Sequence, residues 1–249
     1  MAGSRTYRDV FIVLDKTKLR ETDLILTLMA SDGRRVRAVA KGARKPGSRM
    51  AARCELGCSV DLLIARGRSL DVVSQAELVE SPLGATPAVE ALAAVSAALD
   101  VACRCCYEDV VDAYVFKITR AALSALASTV EPVRALVLAA YVFKILGHIG
   151  YLPELSRCVA CGDADVSYFS AQAGGLLCSS CAHSVPGALR LLPGRAEWLR
   201  SLLRLRFTDL SRVLVDPGEA RGLLGLAHQW GGFHLDSRLK ALEFYLGLL

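Results

Sequence analysis

Arg34-Arg35-Val36-Arg37-Ala38-Val39-Ala40-Lys41 alternates as a β-strand with two unlike faces does. Val36, Ala38 and Ala40 point one way, and Arg35, Arg37, Val39 and Lys41 the other, so the strand lays three cations along one sheet face. Ser31-Asp32-Gly33 before it makes a turn, preceded by strands over Thr22 to Met29 and Tyr7 to Leu14. After it, Gly42 to Ala52 mixes Gly, Pro and Ser with basic residues and is expected to be a mobile basic loop. Glu55 to Ala65 and Leu70 to Val79 read as a hairpin closed by Arg66-Gly67-Arg68. Five short strands in the first eighty residues fit a small closed barrel of the OB type. An SH3-like barrel or a bare five-stranded sheet would leave the same pattern.

Charge is concentrated in this same segment. Residues 1–80 hold fifteen Lys/Arg and ten Asp/Glu, a net of +5, whereas residues 81–249 hold fifteen of each. Between residues 34 and 53 stand Arg34, Arg35, Arg37, Lys41, Arg44, Lys45, Arg49 and Arg53 without one acid. Such a run repels itself, and a polyanion partner is the natural compensation. Basic barrels track a phosphate backbone in this way. Only Tyr7 and Phe11 are aromatic in the segment, so phosphate contacts rather than base stacking are expected to dominate, with little sequence preference and tolerance of duplex. Gly42 to Arg49 has two glycines at P-loop spacing but lacks the lysine after Gly47, and no helix signal opens there, which argues against a nucleotide site.

The remaining chain reads as helical. Thr86-Pro87 is a cap with proline at the first helical position, opening an Ala-rich helix to about Cys103. Asp109 can cap a second helix through Ala127, and Pro132 starts a third that Gly150 can end. Further helices are expected over Arg195 to Phe207, with Arg200, Arg204 and Arg206 outward, over Pro217 to Trp230, and over Ser237 to Leu248. The overall expectation is an α+β chain: an OB-like barrel over 1–80, then a helical domain over 81–249 interrupted by a metal-binding insert at about 155–185.

That insert is marked by Cys158-Val159-Ala160-Cys161 and Cys178-Ser179-Ser180-Cys181, sixteen residues apart. Each Cys-x-x-Cys can turn two thiolates onto one ion, and the intervening hairpin brings the second pair round to complete a tetrahedron. Ser167 to Ser170 and Leu176-Leu177 are its strands, Gly174-Gly175 its turn. This is a zinc ribbon pattern, with one structural Zn²⁺ on Cys158, Cys161, Cys178 and Cys181. Four filled corners leave no position for water or substrate. His183 could replace a ligand but reads more simply as a surface histidine.

A positive mean hydropathy raises the question of a membrane. The longest apolar run, Val133 to Ile149, is broken by Arg134, Lys144 and His148 and reads as a buried helix. The first residues contain no apolar signal core. Cys103, Cys105 and Cys106 on an apolar segment, and Cys54 and Cys58, fit reduced core thiols of a cytoplasmic protein. No nucleophile elbow or hydrolase metal motif is present.

At several points the residues resemble the RecO family of bacterial recombination mediators. Glu21-Thr22-Asp23-Leu24-Ile25-Leu26-Thr27-Leu28 followed by Val39-Ala40-Lys41-Gly42-Ala43-Arg44-Lys45 is similar to that family's second and third strands and basic loop. Phe143-Lys144-Ile145-Leu146-Gly147, then Gly150-Tyr151-Leu152-Pro153, then Cys158 and Cys161-Gly162, is similar to its run into the zinc site, and Ser237-Arg238 fits near the end. The resemblance implies a non-enzymatic, cytoplasmic, nucleoid-associated DNA repair protein that binds single- and double-stranded DNA and anneals complementary strands. It implies that RecR, and in some settings RecF, act with it to load RecA onto strands coated by single-strand-binding protein. The family's DNA contacts fall on Arg35, Arg37, Lys41, Arg44 and Lys45; Arg34, Arg49 and Arg53 enter on charge alone. The acidic tail of single-strand-binding protein would dock on the helical part, where Arg200, Arg204 and Arg206 are basic. Two other classes stay open here: a zinc-ribbon enzyme acting on nucleic acid or nucleotide, and a docking scaffold without DNA contact.

Overall fold

The computed structural model describes residues 5–249. Its first compact unit ends at Ser128 and its second runs from Thr129 to Leu249.

The first unit is built on strands β1 (Thr6–Lys18), β2 (Leu24–Ala30), β3 (Arg35–Ala40), β4 (Ser59–Ala65) and β5 (Asp71–Glu80), closed in the order β1-β2-β3-β5-β4. All pairings are antiparallel except β3 with β5. This is an OB-type closed barrel, not an open sheet. Closure depends on the length of β1, which pairs with β2 on one edge and β4 on the other, with a register shift between Val13 and Asp15. A bulge of this kind bends a strand and sharpens its twist. The expected alternation holds: Ala38 and Ala40 lie in the barrel core with Phe11, Val13, Leu26, Leu28, Leu62 and Ile64, and Val36 packs against it.

Three expectations change in this unit. Gly42 to Ala52 is not loop throughout: turns lead into a one-turn helix, α1 (Arg49–Arg53). Ser48 stands at its N-cap, and Met50 packs on the barrel core, giving the turn an apolar anchor. The following helix, α2 (Val89–Cys105), begins after an extended Ala88 rather than at Pro87. The head of α3 (Ala113–Ser128) is held by Asp112, not Asp109, whose carboxylate accepts the Tyr114 N–H at 3.1 Å. The all-β segment ends at Glu80, and α2 and α3 fall in the same compact unit.

In the second unit α4 (Val133–His148) is buried along most of its length, and Gly150 at φ +107° follows its end. A three-stranded sheet follows, β6 (Tyr168–Ser170) between β7 (Gly175–Leu177) and a third strand absent from the sequence reading, β8 (Leu189–Arg190). The short helix α5 (Ser179–Ala182) lies between β7 and β8. Beyond it, α6 (Arg195–Arg204) stops three residues before Phe207, which instead opens α7 (Phe207–Leu210). The helix α8 (Pro217–His234) outruns Trp230, and α9 (Lys240–Leu248) starts late. Buried Trp230 donates its indole N–H to the Tyr151 carbonyl at 3.0 Å and packs against Phe143 and Phe169, joining α4, the small sheet and α8. No helix among the described residues is long and apolar enough to cross a membrane.

The turn between β2 and β3 sets a test of this packing. Gly33 has φ +89°, and a Cβ there would lie 2.0 Å from the Asp112 carbonyl oxygen, whereas a Cβ on Gly84 (φ +65°) meets nothing within 4 Å. Gly84→Ala is expected to cost about 1–2 kcal/mol of left-handed strain. Gly33→Ala adds about 1–3 kcal/mol of overpacking. Urea unfolding of the two variants measures the difference; equal losses would mean that the contact at Asp112 carries no weight.

Candidate nucleic-acid interface and metal centre

The eight cations singled out in the sequence separate on the folded barrel. Arg34, Arg35 and Arg37 line a groove of about 620 Å³ together with Tyr7, Arg8 and Arg66. Asp9, Asp71 and Glu108 also line it, so five arginines face three carboxylates. Arg8 and Arg66 are additions that the run from 34 to 53 did not include. The signal for Arg66 was present in the Arg66-Gly67-Arg68 turn, but only closure brings it beside β3. Arg49 and Arg53 line a different hollow, about 450 Å³, over β4 and β5, and Arg8 borders both. Lys41, Arg44 and Lys45 lie in neither and occupy the turn after β3.

Each cation is held differently. The Arg34 guanidinium pairs with Asp32 at 2.8 Å. Arg35 is half-buried: its Nη1 donates to the Cys103 carbonyl at 3.4 Å, its Nη2 lies 3.9 Å from Glu108, and its Nε has no partner among the described residues. Arg44 donates to the carbonyls of Arg20 and Glu21 at 3.0 and 2.9 Å, which ties the β1–β2 turn to the basic turn and sets Arg20 beside it. Arg53 donates to the Ala76 carbonyl at 2.7 Å. Arg37, Lys41, Lys45 and Arg49 are exposed and form no ion pair among the described residues. Of the three strand cations, then, Arg35 and Arg37 share the groove and Lys41 leaves it.

The floor of the groove is fixed by Tyr7. Its hydroxyl donates to Asp71 at 2.7 Å, Asp71 also accepts the Gly67 N–H at 3.0 Å, and the Arg66 guanidinium lies 4.9 Å above the ring. Burial, then the bond to Asp71, pushes the Tyr7 hydroxyl above the usual tyrosine range, so it stays a donor. The β4–β5 turn is thus pre-set with Arg66 over the ring, a cation–π contact.

In the second unit the four thiols meet. The sulfurs of Cys158, Cys161, Cys178 and Cys181 all lie within 4.8 Å of one another, and Cys161 Sγ stands 3.7 Å from Cys178 Sγ. A Zn–S bond of about 2.3 Å gives a tetrahedral edge of about 3.8 Å. A disulfide needs about 2.05 Å, so the cluster is thiols poised for an ion. The first knuckle is shaped by Gly162 (φ +80°), whose N–H reaches the Cys158 carbonyl at 2.9 Å, and is tied to β7 by the Val159 N–H on the Leu176 carbonyl. The second sits at the head of α5, where the Cys181 N–H points at Cys178 Sγ. Backbone N–H groups of Cys178, then Cys161 and Ala160, hold the Cys158 thiol down at about 6, while Cys181, bonded first to Cys161 and then to Cys178, is pushed up to about 12. Sulfurs so close cannot all ionise without a cation among them. The donor set fits a metal ion. His183 lies outside the cluster, exposed at the end of α5.

The other cysteines behave as core thiols. Burial pushes Cys54 up to about 11 and Cys105 and Cys106 up to about 12. Of Arg200, Arg204 and Arg206, Arg200 turns inward to the Leu155 carbonyl and Glu197, Arg206 pairs with Asp209, and Arg204 is exposed without an ion pair among the described residues, as are Lys117, Arg221 and Lys240 elsewhere on the helices.

Residues 1–82 match the family model described as Recombination protein O N terminal, and residues 87–243 the one described as Recombination protein O C terminal. A DNA repair protein RecO from Frankia casuarinae is 37% identical over 246 residues, covering 96% of this chain and 97% of its own. The protein of the same description from Bifidobacterium longum subsp. infantis is 35% identical over 241 residues, 95% of this chain and 97% of its own. That from Desulforamulus reducens is 30% identical over 244 residues, 96% and 94% respectively.

The basic turn has its own pH dependence. The Gly42 N–H, donated to Asp23 at 2.8 Å, is the largest influence holding that carboxyl below the usual range. A depressed folded value stabilises the turn above the unfolded value of about 3.9 and loses that contribution as pH falls through the folded one. An NMR titration is expected to place the Asp23 midpoint below about 3.9, with the Gly42 amide shift following it. A midpoint at or above that value would contradict the bond.

Proposed function

The chain belongs to the RecO family of DNA repair proteins, and from that membership we propose that it binds single- and double-stranded DNA through the barrel's basic surface and anneals complementary strands. With RecR, and in some settings RecF, it helps load RecA onto strands coated by single-strand-binding protein. It does so as a binding protein rather than an enzyme, in the cytoplasm and on the nucleoid.

The observation that carries the DNA reading is the bare charge of Arg37, Lys41 and Lys45, exposed and without an ion pair among the described residues, with Arg37 lining a groove that has more arginines than carboxylates. Phosphates released from their counterions occupy such a surface at low salt and leave it at high salt. Annealing follows from the same physics: two backbones repel, a basic surface lowers that repulsion, and phosphate contacts leave base edges free to pair. Arg34, Arg35, Arg44, Arg49 and Arg53 contribute field, with Arg44 also bracing the turn. Of Arg200, Arg204 and Arg206, Arg204 alone is exposed without an ion pair among the described residues and is the one free to meet an acidic tail of single-strand-binding protein.

For the metal centre the proposal is one structural Zn²⁺ on Cys158, Cys161, Cys178 and Cys181. The all-thiolate donor set and the 3.7 Å sulfur edge support it. Closing all four positions with protein ligands means the ion supplies folding energy rather than a reactive water.

With about five phosphates engaged on a single strand, log K against log salt is expected to slope near about −3.5, at roughly −0.7 per phosphate. The combined variant Arg37→Glu, Lys41→Glu, Lys45→Glu is expected to flatten that slope and abolish annealing, with zinc content and the unfolding midpoint unchanged. Oligonucleotide affinity insensitive to both salt and the variant would refute the DNA reading. Metal analysis is expected to find one zinc per chain, and Cys158→Ser with Cys161→Ser to lose it and unfold at lower denaturant. An unchanged unfolding curve would deny the ion its structural role.

A further inference from the structure

Both aromatic rings of the barrel are already occupied. Phe11 is wholly buried in the core, and Tyr7 lies beneath Arg66 with its hydroxyl on Asp71. The segment between α2 and α3 brings others to the same place. It forms an arch over residues 107–112 with both feet on the β2–β3 turn. At one foot the Arg35 N–H donates to the Tyr107 carbonyl at 2.9 Å; at the other the Asp112 N–H donates to the Asp32 carbonyl at 2.8 Å, passing where Gly33 has no Cβ. Between those feet stand Gly33 and Arg34, and Glu108 of the arch lines the arginine groove. On the arch Tyr107 and Val110 are each 51% exposed and Val111 67%; Tyr114, in the first turn of α3, is 43% exposed.

An aromatic ring so exposed, on a residue whose carbonyl is bound by the N–H of Arg35 and whose neighbour Glu108 lines the cationic groove, has the chemistry of a nucleobase platform. We infer that Tyr107 stacks a base of single-stranded DNA, with Val110 and Val111 continuing the apolar ledge, so that this barrel favours a single strand over duplex. A duplex keeps its bases stacked on one another and offers the ring no face. A strand does, and its phosphates then fall toward Arg34, Arg35 and Arg37, where they compete with Glu108 for Arg35. The arch carries Glu108, Asp109 and Asp112, so the phosphates of a bound strand are directed away from it to the neighbouring groove, whose five arginines against three carboxylates select a polyanion as the occupant over an apolar protein segment. The inference rests on the barrel being the DNA-binding surface and adds the ring to it.

The test compares oligo-dT with an abasic sugar-phosphate strand of equal length and with duplex, at one salt concentration. The wild-type chain is expected to bind oligo-dT more tightly than the abasic strand. Tyr107→Ala is expected to lower oligo-dT affinity about 5- to 150-fold, the equivalent of one lost stack, while leaving abasic and duplex affinities unchanged. Tyr107→Phe is expected to keep wild-type values, and tyrosine fluorescence to be quenched by oligo-dT in the wild type only. If Tyr107→Ala changes no affinity, or lowers all three equally, the platform is refuted while phosphate binding stands. If the wild type binds none of the three in a salt-dependent way, the DNA-binding reading itself fails.

Discussion

Strand β1 hydrogen-bonds along both edges, to β2 from Phe11 to Lys18 and to β4 from Thr6 to Ile12. That double use closes the barrel, and closure decides everything displayed outside it. A closed interior admits every second residue: Phe11, Leu26, Leu28, Leu62 and Ile64 fill it, with small Ala38 and Ala40 from β3. The intervening residues of β3 have no interior to enter. Arg35 and Arg37 face outward because Ala38 and Ala40 face in.

Holding so many cations together costs free energy, and the fold meets that cost while cancelling only part of the charge: Arg34 pairs with Asp32 and Arg8 with Asp61. Arg44 and Arg53 are anchored on backbone carbonyls rather than on carboxylates, and Arg35 mainly so. A carbonyl orders a guanidinium and satisfies its donors while leaving the unit charge in place. The carboxylates that do enter the groove are partly committed to scaffolding: Asp9 accepts from Ser31 and Val10, and Asp71 from Tyr7 and Gly67. The result is a positioned but still positive surface.

The second unit solves a different problem. Its small sheet has strands of two or three residues and too little apolar area to hold itself. Two fastenings compensate: Phe169 packs against Phe143 and Trp230, and the four sulfurs converge where one ion can clamp both knuckles. Backbone N–H groups directed at Cys158 lower that thiol, while Cys181, bonded to the Cys161 and Cys178 sulfurs, is raised, so the two are driven in opposite directions.

Local pattern was readable directly. Alternation at 34–41, the two Cys-x-x-Cys pairs and the helical apolar periodicity are short-range features, and the strands, the thiol cluster and the long helices followed from them. Where a helix starts was less legible, because Thr86, Asp109 and Asp112 offer similar caps and only packing chooses among them. The structure of Gly42 to Ala52 was missed because Met50 reads as one apolar residue in a polar stretch until the barrel core lies beneath it. Which cations share a groove was not legible at all. Arg8 meets Asp61 at a separation of 53 residues, Tyr7 meets Asp71 at 64, and Arg35 meets the Cys103 carbonyl at 68. The sequence by itself determined the element types, the positive charge of the first eighty residues and the four-sulfur donor set. Only the tertiary structure decided that Arg66 joins Arg35 and Arg37, that Arg49 and Arg53 lie apart, and that the Tyr107 carbonyl meets the N–H of Arg35. Those are choices of distant partner, and they exist only once the barrel has closed.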